Sequence, residues 1–516
     1  MPPSLTCRLS PTVLSQEKEG TKLFKQKCRH NGSRLPPLAL LILIIAAPTA
    51  VSQSHTPSSA SSQQLSTLHL PESWVAESDQ QGSEFGLAAA SAGDVNGDGY
   101  DDVIVGAPRY DAGTYREGAA FVFYGSAGGI SSLPDWHVGG GQTGARFGSA
   151  VASAGDINHD GFDDVLIGAH AYNDGQAKVG AVFVFLGAAG GLSVTADTLL
   201  IGEEKEAEFG FSVASAGDVN GDEYDDVIVG ARYADTGKTN GGAAYLYYGS
   251  ESGLALLPGW TVLGGQEDAQ LGTAVASAGD VDDDGCDDIV VGAPYYDDVA
   301  ANEGAAFVFR GSPTGLGDVP HWQAQGGQAE AGFGSAVAGA GDVNGDGFGE
   351  LIVGAPRYSD AWSNEGAAFL FSGTAVGLSP TPSRRLTGGQ AAASFGTSVG
   401  SAGDVNGDGF GDVVVGSPLY SGDQSQEGAV FLYSGSANGL SHWFAWSAEG
   451  DKAETWFGYT VGTAGNVNGD AFSDLIAGAP QYRLNHIIVG RVMGYYGTSG
   501  PTVTSTFLPL VVSANP

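Results

Sequence analysis

Short runs of alternating or apolar residues recur along the chain, and glycine, proline and acidic loops separate them. Residues 149–154 alternate small and apolar side chains, residues 102–108 are a β-branched run that ends at proline, and residues 118–125 are an apolar run closed by glycine. No stretch has the length and 3.6-residue periodicity of a helix. The pattern predicts an all-β fold. A fourth, more variable segment of the unit carries a tryptophan at Trp74, Trp136, Trp260, Trp322 and Trp446.

These runs belong to a unit that repeats every 62 residues without an insertion. An aromatic-Gly or Leu-Gly pair comes nine residues before an acidic loop in every copy. The pairs begin at Phe85, Phe147, Phe209, Leu271, Phe333, Phe395 and Phe457. The loops begin at Asp94, Asp156, Asp218, Asp280, Asp342, Asp404 and Asn466.

Seven copies of about four strands predict a seven-bladed β-propeller of four-stranded blades. A linear β-solenoid is the alternative, but its coils are usually shorter than this repeat. Steps of 62 from Trp74 give eight positions for seven blades, so one terminal segment must complete the last blade. We expect the N-terminal segment around Trp74 to close the ring, which leaves residues 507–512 of the tail spare.

The chain divides into four predicted parts: a signal peptide (1–52), a Ser/Gln-rich linker (53–68), the seven repeats (69–500) and a C-terminal tail (501–516). In the first part, basic residues precede an apolar run at 38–47, and small residues follow, which is the order of a secretory signal. The run is shorter than the ~20 residues that span a bilayer. An uncleaved signal anchor is the alternative. Once residues 1–52 are removed, Cys286 is the one remaining cysteine, so core packing or metal must replace disulfides.

Charge narrows the range of partners. The chain has 58 acidic and 21 basic residues, a formal net charge of −37. Such a surface is a poor partner for nucleic acid, whose binding relies on Lys and Arg to neutralise phosphates. Calcium prefers hard oxygen ligands and suits it well.

Much of the acid is organised in the repeated loops. Residues 94–102 place side-chain oxygens at the first, third, fifth and ninth positions, with glycine at the sixth and a backbone carbonyl available at the seventh. This resembles the first half of an EF-hand loop, although the last carboxylate comes at the ninth position and a strand follows. The spacing predicts calcium sites. The alternative is a set of Asx turns with solvated acids.

The predicted ligands occupy positions one, three, five, seven and nine of each loop, and we expect five to seven bound Ca²⁺ ions. They are Asp94, Asn96, Asp98, Tyr100 and Asp102; Asp156, Asn158, Asp160, Phe162 and Asp164; Asp218, Asn220, Asp222, Tyr224 and Asp226; Asp280, Asp282, Asp284, Cys286 and Asp288; Asp342, Asn344, Asp346, Phe348 and Glu350; Asp404, Asn406, Asp408, Phe410 and Asp412; Asn466, Asn468, Asp470, Phe472 and Asp474.

Two of the loops depart from the pattern. The third has Glu223 where glycine belongs, and the seventh has Ala471 there and only two carboxylates, so these sites should be the weakest. The aromatic side chains at position seven are expected to pack between strands. Cys286 at that position is interpreted as a small apolar replacement and not as a nucleophile.

The run from Phe85-Gly86 through the acidic loop to Gly106-Ala107-Pro108 resembles the FG-GAP repeat of integrin α-subunit propellers. The resemblance extends over about residues 69–497. It implies a seven-bladed fold, calcium in the hairpin loops of one face, and partner binding on the opposite face. The constant spacing leaves no inserted adhesion domain, and a prokaryotic secreted or surface protein fits better than an integrin heterodimer. Similar propellers occur in a phospholipase D, where a separate domain holds the catalytic residues.

The loops between the second and third strands should lie opposite the calcium loops. They include residues 109–116, 295–298, 357–362 and 481–483. Two interpretations are open for the tyrosines in these loops: an aromatic ring around the propeller mouth that grips a ligand, or caps on the blade edges. The tyrosines are Tyr110, Tyr172, Tyr233, Tyr296, Tyr358, Tyr420 and Tyr482.

The sequence thus predicts a secreted or cell-surface, calcium-dependent adhesion or protein-binding module whose partner is an extracellular protein or glycan. A lectin-like propeller is the alternative, and an extracellular hydrolase is the least favoured function. The histidines share no register and no Gly-x-Ser-x-Gly motif occurs, so no catalytic residue and no enzymatic activity are predicted. No nucleic-acid partner and no membrane span apart from the signal segment are expected.

Overall fold

The computed structural model of the protein describes residues 68–235 and 237–499, and within them the repeats form seven four-stranded antiparallel sheets, one per blade. The predicted signal peptide and C-terminal tail, and nearly all of the predicted linker, lie outside the described residues. In the first three blades the strands are β2 (Ala88–Gly93), β3 (Asp102–Ala107), β4 (Ala119–Phe123) and β5 (Trp136–Gly139); β6 (Ala150–Gly155), β7 (Asp164–Ala169), β8 (Ala181–Phe185) and β9 (Thr198–Ile201); and β10 (Phe209–Gly217), β11 (Asp226–Ala231), β12 (Ala243–Tyr247) and β13 (Trp260–Leu263).

The remaining blades repeat this order. Their strands are β14 (Ala274–Gly279), β15 (Asp288–Ala293), β16 (Ala305–Phe309) and β17 (Trp322–Gln325); β18 (Ala336–Gly341), β19 (Glu350–Ala355), β20 (Ala367–Phe371) and β21 (Arg384–Thr387); β22 (Ser398–Gly403), β23 (Asp412–Ser417), β24 (Ala429–Tyr433) and β25 (Trp446–Glu449); and, in the seventh blade, β26 (Thr460–Gly465), β27 (Asp474–Ala479) and β30 (Arg491–Tyr495). A small hairpin, β28 (Arg483–Leu484) and β29 (Ile487–Ile488), lies between the last two.

The second strand of each blade is the most deeply buried. Strand β3 reads Asp-Val-Ile-Val-Gly-Ala, and all six of its residues are buried. Branched side chains suit this position because they pack on both faces of the pleated sheet. The first strands contact one another from blade to blade around the ring. The seven-bladed propeller predicted from the repeat is therefore confirmed.

The N-terminal segment closes the ring, as the repeat count predicts. Strand β1 (Glu72–Glu77) pairs antiparallel with β30, so the last blade has the order β1-β30-β27-β26 and is built from both parts of the chain. The indole of Trp74 then reaches the first blade, where it packs edge-on against Phe123 with 5.0 Å between ring centroids. Its Nε1–H donates to the carbonyl oxygen of Ser131 at 2.8 Å. Trp136 makes the same pair of contacts with the second blade, to Phe185 and Ser193.

Replacing Trp74 with alanine should destabilise the closed ring by about 3–5 kcal/mol, because the side chain is 6% exposed and its loss leaves a cavity between the first and last blades. The free energy of unfolding in denaturant measures this. Trp443→Ala is the matched control: that indole is 69% exposed, so its removal should change the unfolding free energy by about 0.5 kcal/mol or less. Equal effects of the two substitutions would show that Trp74 does not hold the closure.

Glycines set the distance between blades. A Cβ atom built on Gly106, the glycine of Gly-Ala-Pro, would lie 2.0 Å from the carbonyl oxygen of Gly148, the glycine that follows Phe147 in the next blade. The same approach, at 2.0–2.2 Å, recurs at all seven junctions, including the closing one from Gly478 to Gly86. No side chain fits there, so the two glycines of each repeat allow neighbouring blades to touch through their backbones.

Candidate metal sites

The seven acidic loops are the hairpins between the first and second strands of the blades, and the topology places them all on one face, called the loop face below. In the first loop, Asp94 Oδ1 accepts hydrogen bonds from the backbone N–H groups of Gly97 at 2.7 Å and Asp98 at 3.0 Å, and its Oδ2 accepts one from Gly99 at 2.8 Å. The backbone of the hairpin therefore wraps around the position-one carboxylate. Position six needs a left-handed conformation, with φ of 88° at Gly99.

The position-nine carboxylate ties the loop to the rest of its blade. Asp102 is fully buried; its Oδ2 accepts the N–H of Val95 at 3.2 Å and its Oδ1 accepts the N–H of Gly125, at the end of the third strand, at 2.9 Å. Glu350 bonds the N–H of Val343 through one oxygen and the Asn344 side chain through the other. Burial raises the pKa of every position-nine acid to about 7. A nearby cation would favour the ionised form that burial disfavours.

The fourth loop brings the most acid together. Carboxylate oxygens of Asp280, Asp282 and Asp288 lie within 4.8 Å of one another, which no other trio of His, Cys, Asp or Glu side chains does among the described residues. Asp282 Oδ1 is buried without a hydrogen-bond partner, and Asp282 Oδ2 lies 2.6 Å from Arg310 Nη1. An unpartnered carboxylate oxygen beside two further carboxylates fits a hard divalent cation.

In three of the other loops the predicted ligands also lie on the hairpin between the first and second strands, but the position-three side chain is an amide that is hydrogen-bonded to a carboxylate. The amide nitrogens of three position-three asparagines are turned toward carboxylates: Asn344 donates to Glu350 at 2.6 Å, Asn406 to Asp412 at 3.3 Å and Asn158 to Asp160 at 2.9 Å. An amide at position three therefore links carboxylates by hydrogen bonds, whereas the fourth loop has a carboxylate at that position.

Position eight, which the sequence analysis did not single out, links neighbouring blades. The Asp163 carboxylate accepts the N–H of Asp94, in the preceding blade, at 2.8 Å. Asp225, Asp287 and Asp101 make the equivalent bond, and Asp101 accepts the N–H of Asn466 across the closing junction at 2.6 Å. The signal was present, since four of the seven loops have aspartate at this position. The backbone N–H that each of these aspartates binds lies 69 residues earlier in the chain or, for Asp101, across the closing junction. Inspection of a single repeat therefore does not show the pair.

The expectation that position-seven side chains pack between strands is wrong in its detail. They lie on the position-four residue of the loop in the preceding blade: a Cβ atom on Gly97 would meet the Phe162 ring at 2.5 Å, and one on Gly469 would meet Tyr100 at 2.7 Å. A flat ring therefore covers a glycine across the blade junction. Cys286 occupies the equivalent place above Gly221 and is buried and unpaired, in agreement with its interpretation as a small apolar replacement.

Comparison with known families now adds to this geometry. The FG-GAP repeat matches residues 85–123, 147–185, 209–247, 271–309, 333–371, 395–433 and 457–496, which together make up more than half of the chain. The chain belongs to the FG-GAP repeat family. Each match begins at the aromatic-Gly or Leu-Gly pair and ends in or just after the third strand of the blade.

Relatives of this FG-GAP propeller include integrin α chains. It is 37% identical to integrin alpha pat-2 of Caenorhabditis briggsae over 222 residues, which are 40% of this chain and 17% of that protein. It is 36% identical to integrin alpha-3 of Cricetulus griseus over 199 residues, or 38% and 18% of the two chains. It is also 33% identical to human phosphatidylinositol-glycan-specific phospholipase D over 260 residues, or 45% and 30%. The chain thus spans less than a third of the length of each of these relatives. In the part of the FG-GAP chain that the structure describes, no helix is long and apolar enough to cross a bilayer.

The tyrosines of the opposite face cap the blades of the FG-GAP propeller. Tyr110 packs edge-on against Phe121 in the third strand of its own blade, with 5.3 Å between centroids. Tyr172, Tyr296, Tyr358 and Tyr420 make the equivalent contact at 5.4–5.9 Å. These contacts favour blade-edge caps over a ring at the propeller mouth.

Two of the predicted tyrosines differ from this arrangement. Tyr233 is one residue out of register, beside the Arg232 guanidinium, and the fully buried Ala234 takes the capping position. Tyr482 is 2% exposed and lies between Lys452 and Arg491, whose charged groups are 4.0 and 3.5 Å from its ring.

A second set of acidic residues that the sequence did not reveal shapes the loops between the second and third strands. Glu303 is 1% exposed, and its Oε1 accepts the backbone N–H groups of Asp298, Val299 and Ala300 at 2.6–3.1 Å. Glu117, Glu365 and Glu427 occupy the equivalent position. These buried glutamates gather several backbone N–H groups of their loops, so part of the acid in the chain serves the scaffold.

Replacing Glu223 with glycine should stabilise the third loop by about 1 kcal/mol, because Glu223 has φ of 74° where a side chain is strained. Unfolding in denaturant with chelator present isolates this backbone effect from metal binding. Glu251→Gly, at an exposed loop position outside the left-handed region, is the control and should be neutral or slightly destabilising. A lower free energy of unfolding for Glu223→Gly than for the wild type would contradict the claim that the Glu223 backbone is strained.

Proposed function

We propose that this FG-GAP propeller binds calcium in its loop-face hairpins and acts as a secreted or cell-surface module for adhesion or protein binding. The fourth loop carries the metal part of the proposal, because three carboxylates converge there around a buried oxygen without a partner. The relationship to integrin α chains supports the binding role. The proposed function is binding; the similarity to the phospholipase D covers 30% of that protein.

The residues of each loop have separable tasks in this proposal. Oxygens at positions one, three, five and nine, with the carbonyl at seven, are the proposed ligands, and calcium bound there would neutralise carboxylates that otherwise repel one another. The position-one side chain holds the hairpin backbone, and the position-nine side chain joins it to the end of the third strand. The aspartates at position eight tie the hairpin to the preceding blade. A hairpin ordered by bound calcium would thereby support the packing of adjacent blades.

Calcium titration by calorimetry on the chain tests this directly. We expect five to seven ions per chain, with the third and seventh loops weakest. Asp280→Ala should remove one ion from the stoichiometry, because Asp280 belongs to the convergent trio. Asp283→Ala is the matched control, since this exposed acid lies in the same loop outside the ligand positions. Absence of calcium-dependent heat in the wild-type chain would overturn the proposal.

One observation favours carbohydrate binding as the second candidate. A cavity of about 310 Å³ lies on the loop face between the fifth and sixth blades. Asn344, Ser372, Arg384 and Asn438 line it together with apolar groups such as Leu440. Polar side chains beside an apolar floor suit a small sugar. A glycan array tests this: binding that Asn438→Ala weakens supports a lectin, and signal at background removes this candidate.

A further inference from the structure

Most of the described cationic side chains of this acidic protein lie on the face opposite the acidic loops. Among the Lys and Arg residues that the structure describes, Arg310 and Arg384 alone are at the loop face, at the end of a third strand and the start of a fourth. Arg310 is paired with Asp282. The other cationic residues belong to the opposite ends of the blades or to the loops there. The face away from the acidic loops therefore has a distinct electrostatic character.

Four of these arginines surround the mouth of the propeller on that opposite face. Arg146 directly precedes the Phe-Gly pair that leads into an innermost strand, and Arg109, Arg232 and Arg357 directly follow second strands or lie one residue beyond. The first strands line the axis, and the three arginines that follow second strands contact the segments leading into first strands, through Glu84, Glu208 and the carbonyl oxygen of Glu330. These contacts place them beside the central opening. We call Arg109, Arg146, Arg232 and Arg357 the mouth arginines.

Only two carboxylates pair with the four mouth arginines in the described part of the chain. Glu84 is shared: its two oxygens lie 2.9 Å from Arg109 Nη1 and 3.5 Å from Arg146 Nη1. Glu208 lies 2.8 Å from Arg232 Nε. Two positive charges are therefore left over. Burial, and next the charge of Arg109, lowers the pKa of Arg146, which reflects this crowding of cations.

Arg357 has polar contacts but no carboxylate in the described structure. Its Nε donates to the carbonyl oxygen of Glu330 at 3.1 Å, and its Nη1 to the Tyr295 hydroxyl at 3.4 Å. The side chains of Arg109, Arg146 and Arg232 are 34%, 33% and 24% exposed, so a ligand can reach these guanidinium groups.

Aromatic side chains hold the guanidinium groups in place. Arg232 lies 3.6 Å from the centroid of Phe211, and Arg357 lies 5.0 Å from that of Tyr295. Tyr459, from the seventh blade, has its pKa raised by burial and then by the charge of Glu84, and Arg232 acts on it in the opposite direction. Guanidinium groups stacked on aromatic rings in this way lose little freedom when they bind.

We propose that the mouth arginines bind the carboxylates of a short acidic segment on a partner protein. This rests on the proposed binding function and names its partner chemistry. Arginine forks match carboxylates in geometry, and Glu84, held between Arg109 and Arg146, shows such a carboxylate in place. A short segment suits the site better than a long polyanion, because the cationic area ends at the mouth and the chain carries a formal net charge of −37.

Fluorescence anisotropy with labelled hexaglutamate and the full chain tests this proposal. Binding should weaken as salt rises, and the double variant Arg146→Gln/Arg357→Gln should bind at least about tenfold more weakly. Arg385→Gln is the matched control, because this arginine lies in the outermost strand of its blade and pairs with Asp360 there, and it should bind within about twofold of the wild type.

Three outcomes overturn the proposal: no binding of hexaglutamate by the wild type, equal binding by the double variant, or tighter arginine-dependent binding of a sulfated hexasaccharide. Calcium stoichiometry and melting temperature, measured on the same preparations, show whether the double variant is folded. They also separate the two proposals, since peptide binding can fail while the calcium stoichiometry stays at its expected value. Should the double variant be unfolded, Arg146→Lys keeps the charge but not the fork, and it must still weaken binding.

Discussion

Removal of calcium is expected to lower the melting temperature of the propeller by about 10 °C or more. A ligand that binds only the folded state adds about 2.7 kcal/mol per site when its free concentration is a hundred times its dissociation constant, and at least five sites are proposed. The physical cause is the burial of one acid per blade at position nine, where desolvation raises the pKa to about 7. Without a cation, ionised carboxylates in these places oppose folding.

Thermal melts in calcium, in chelator and in chelator followed by excess calcium measure this effect. Magnesium is the control ion, since it demands a tighter octahedral shell and releases its waters reluctantly, so it should restore much less of the lost stability. The same melting temperature in calcium and in chelator would mean that the loops are Asx turns held by their own hydrogen bonds. The calcium part of the proposed function would then fall.

Gly292→Ala is expected to cost about 3 kcal/mol or more and to prevent blade packing at one junction. A Cβ atom on Gly292 would lie 2.1 Å from the carbonyl oxygen of Gly334 in the next blade. Relief requires movement of backbone, which is expensive in a packed interior. Because the approach recurs at every junction, the effect should be similar at Gly230 or Gly354.

Gly462→Ala is the matched control for this prediction. Gly462 is also in a strand, but nothing lies within 4 Å of a Cβ built there, and the equivalent residues in the first five blades are alanines. This change should be neutral or stabilise the chain by up to about 1 kcal/mol. Chemical unfolding and soluble yield compare the two variants. Equal stability of Gly292→Ala and Gly462→Ala would show that the blades are not held apart at the distance described.

The period of 62 residues was sufficient to predict the number of blades, four strands per blade and the need for a closing strand. Position, and not residue type alone, carried that information: Trp74 has the register of Trp136, so its segment was expected to complete a fourth strand, although the count alone also allowed the C-terminal tail. The paired glycines and the acidic loops were visible for the same reason. Residues that each unit requires for its own hairpins recur with the period of the repeat, because their contacts are local, and they are therefore visible in the sequence.

Contacts between units were not predictable in this way. The bond from the N–H of Asp94 to Asp163, the ring of Phe162 over Gly97 and the meeting of Gly106 with Gly148 each join two blades. Their partners depend on the twist and spacing of packed sheets, which the spacing along one chain does not encode. The net charge was likewise evident from composition, whereas its separation into an acidic loop face and the mouth arginines follows from which strand ends the topology brings to each side.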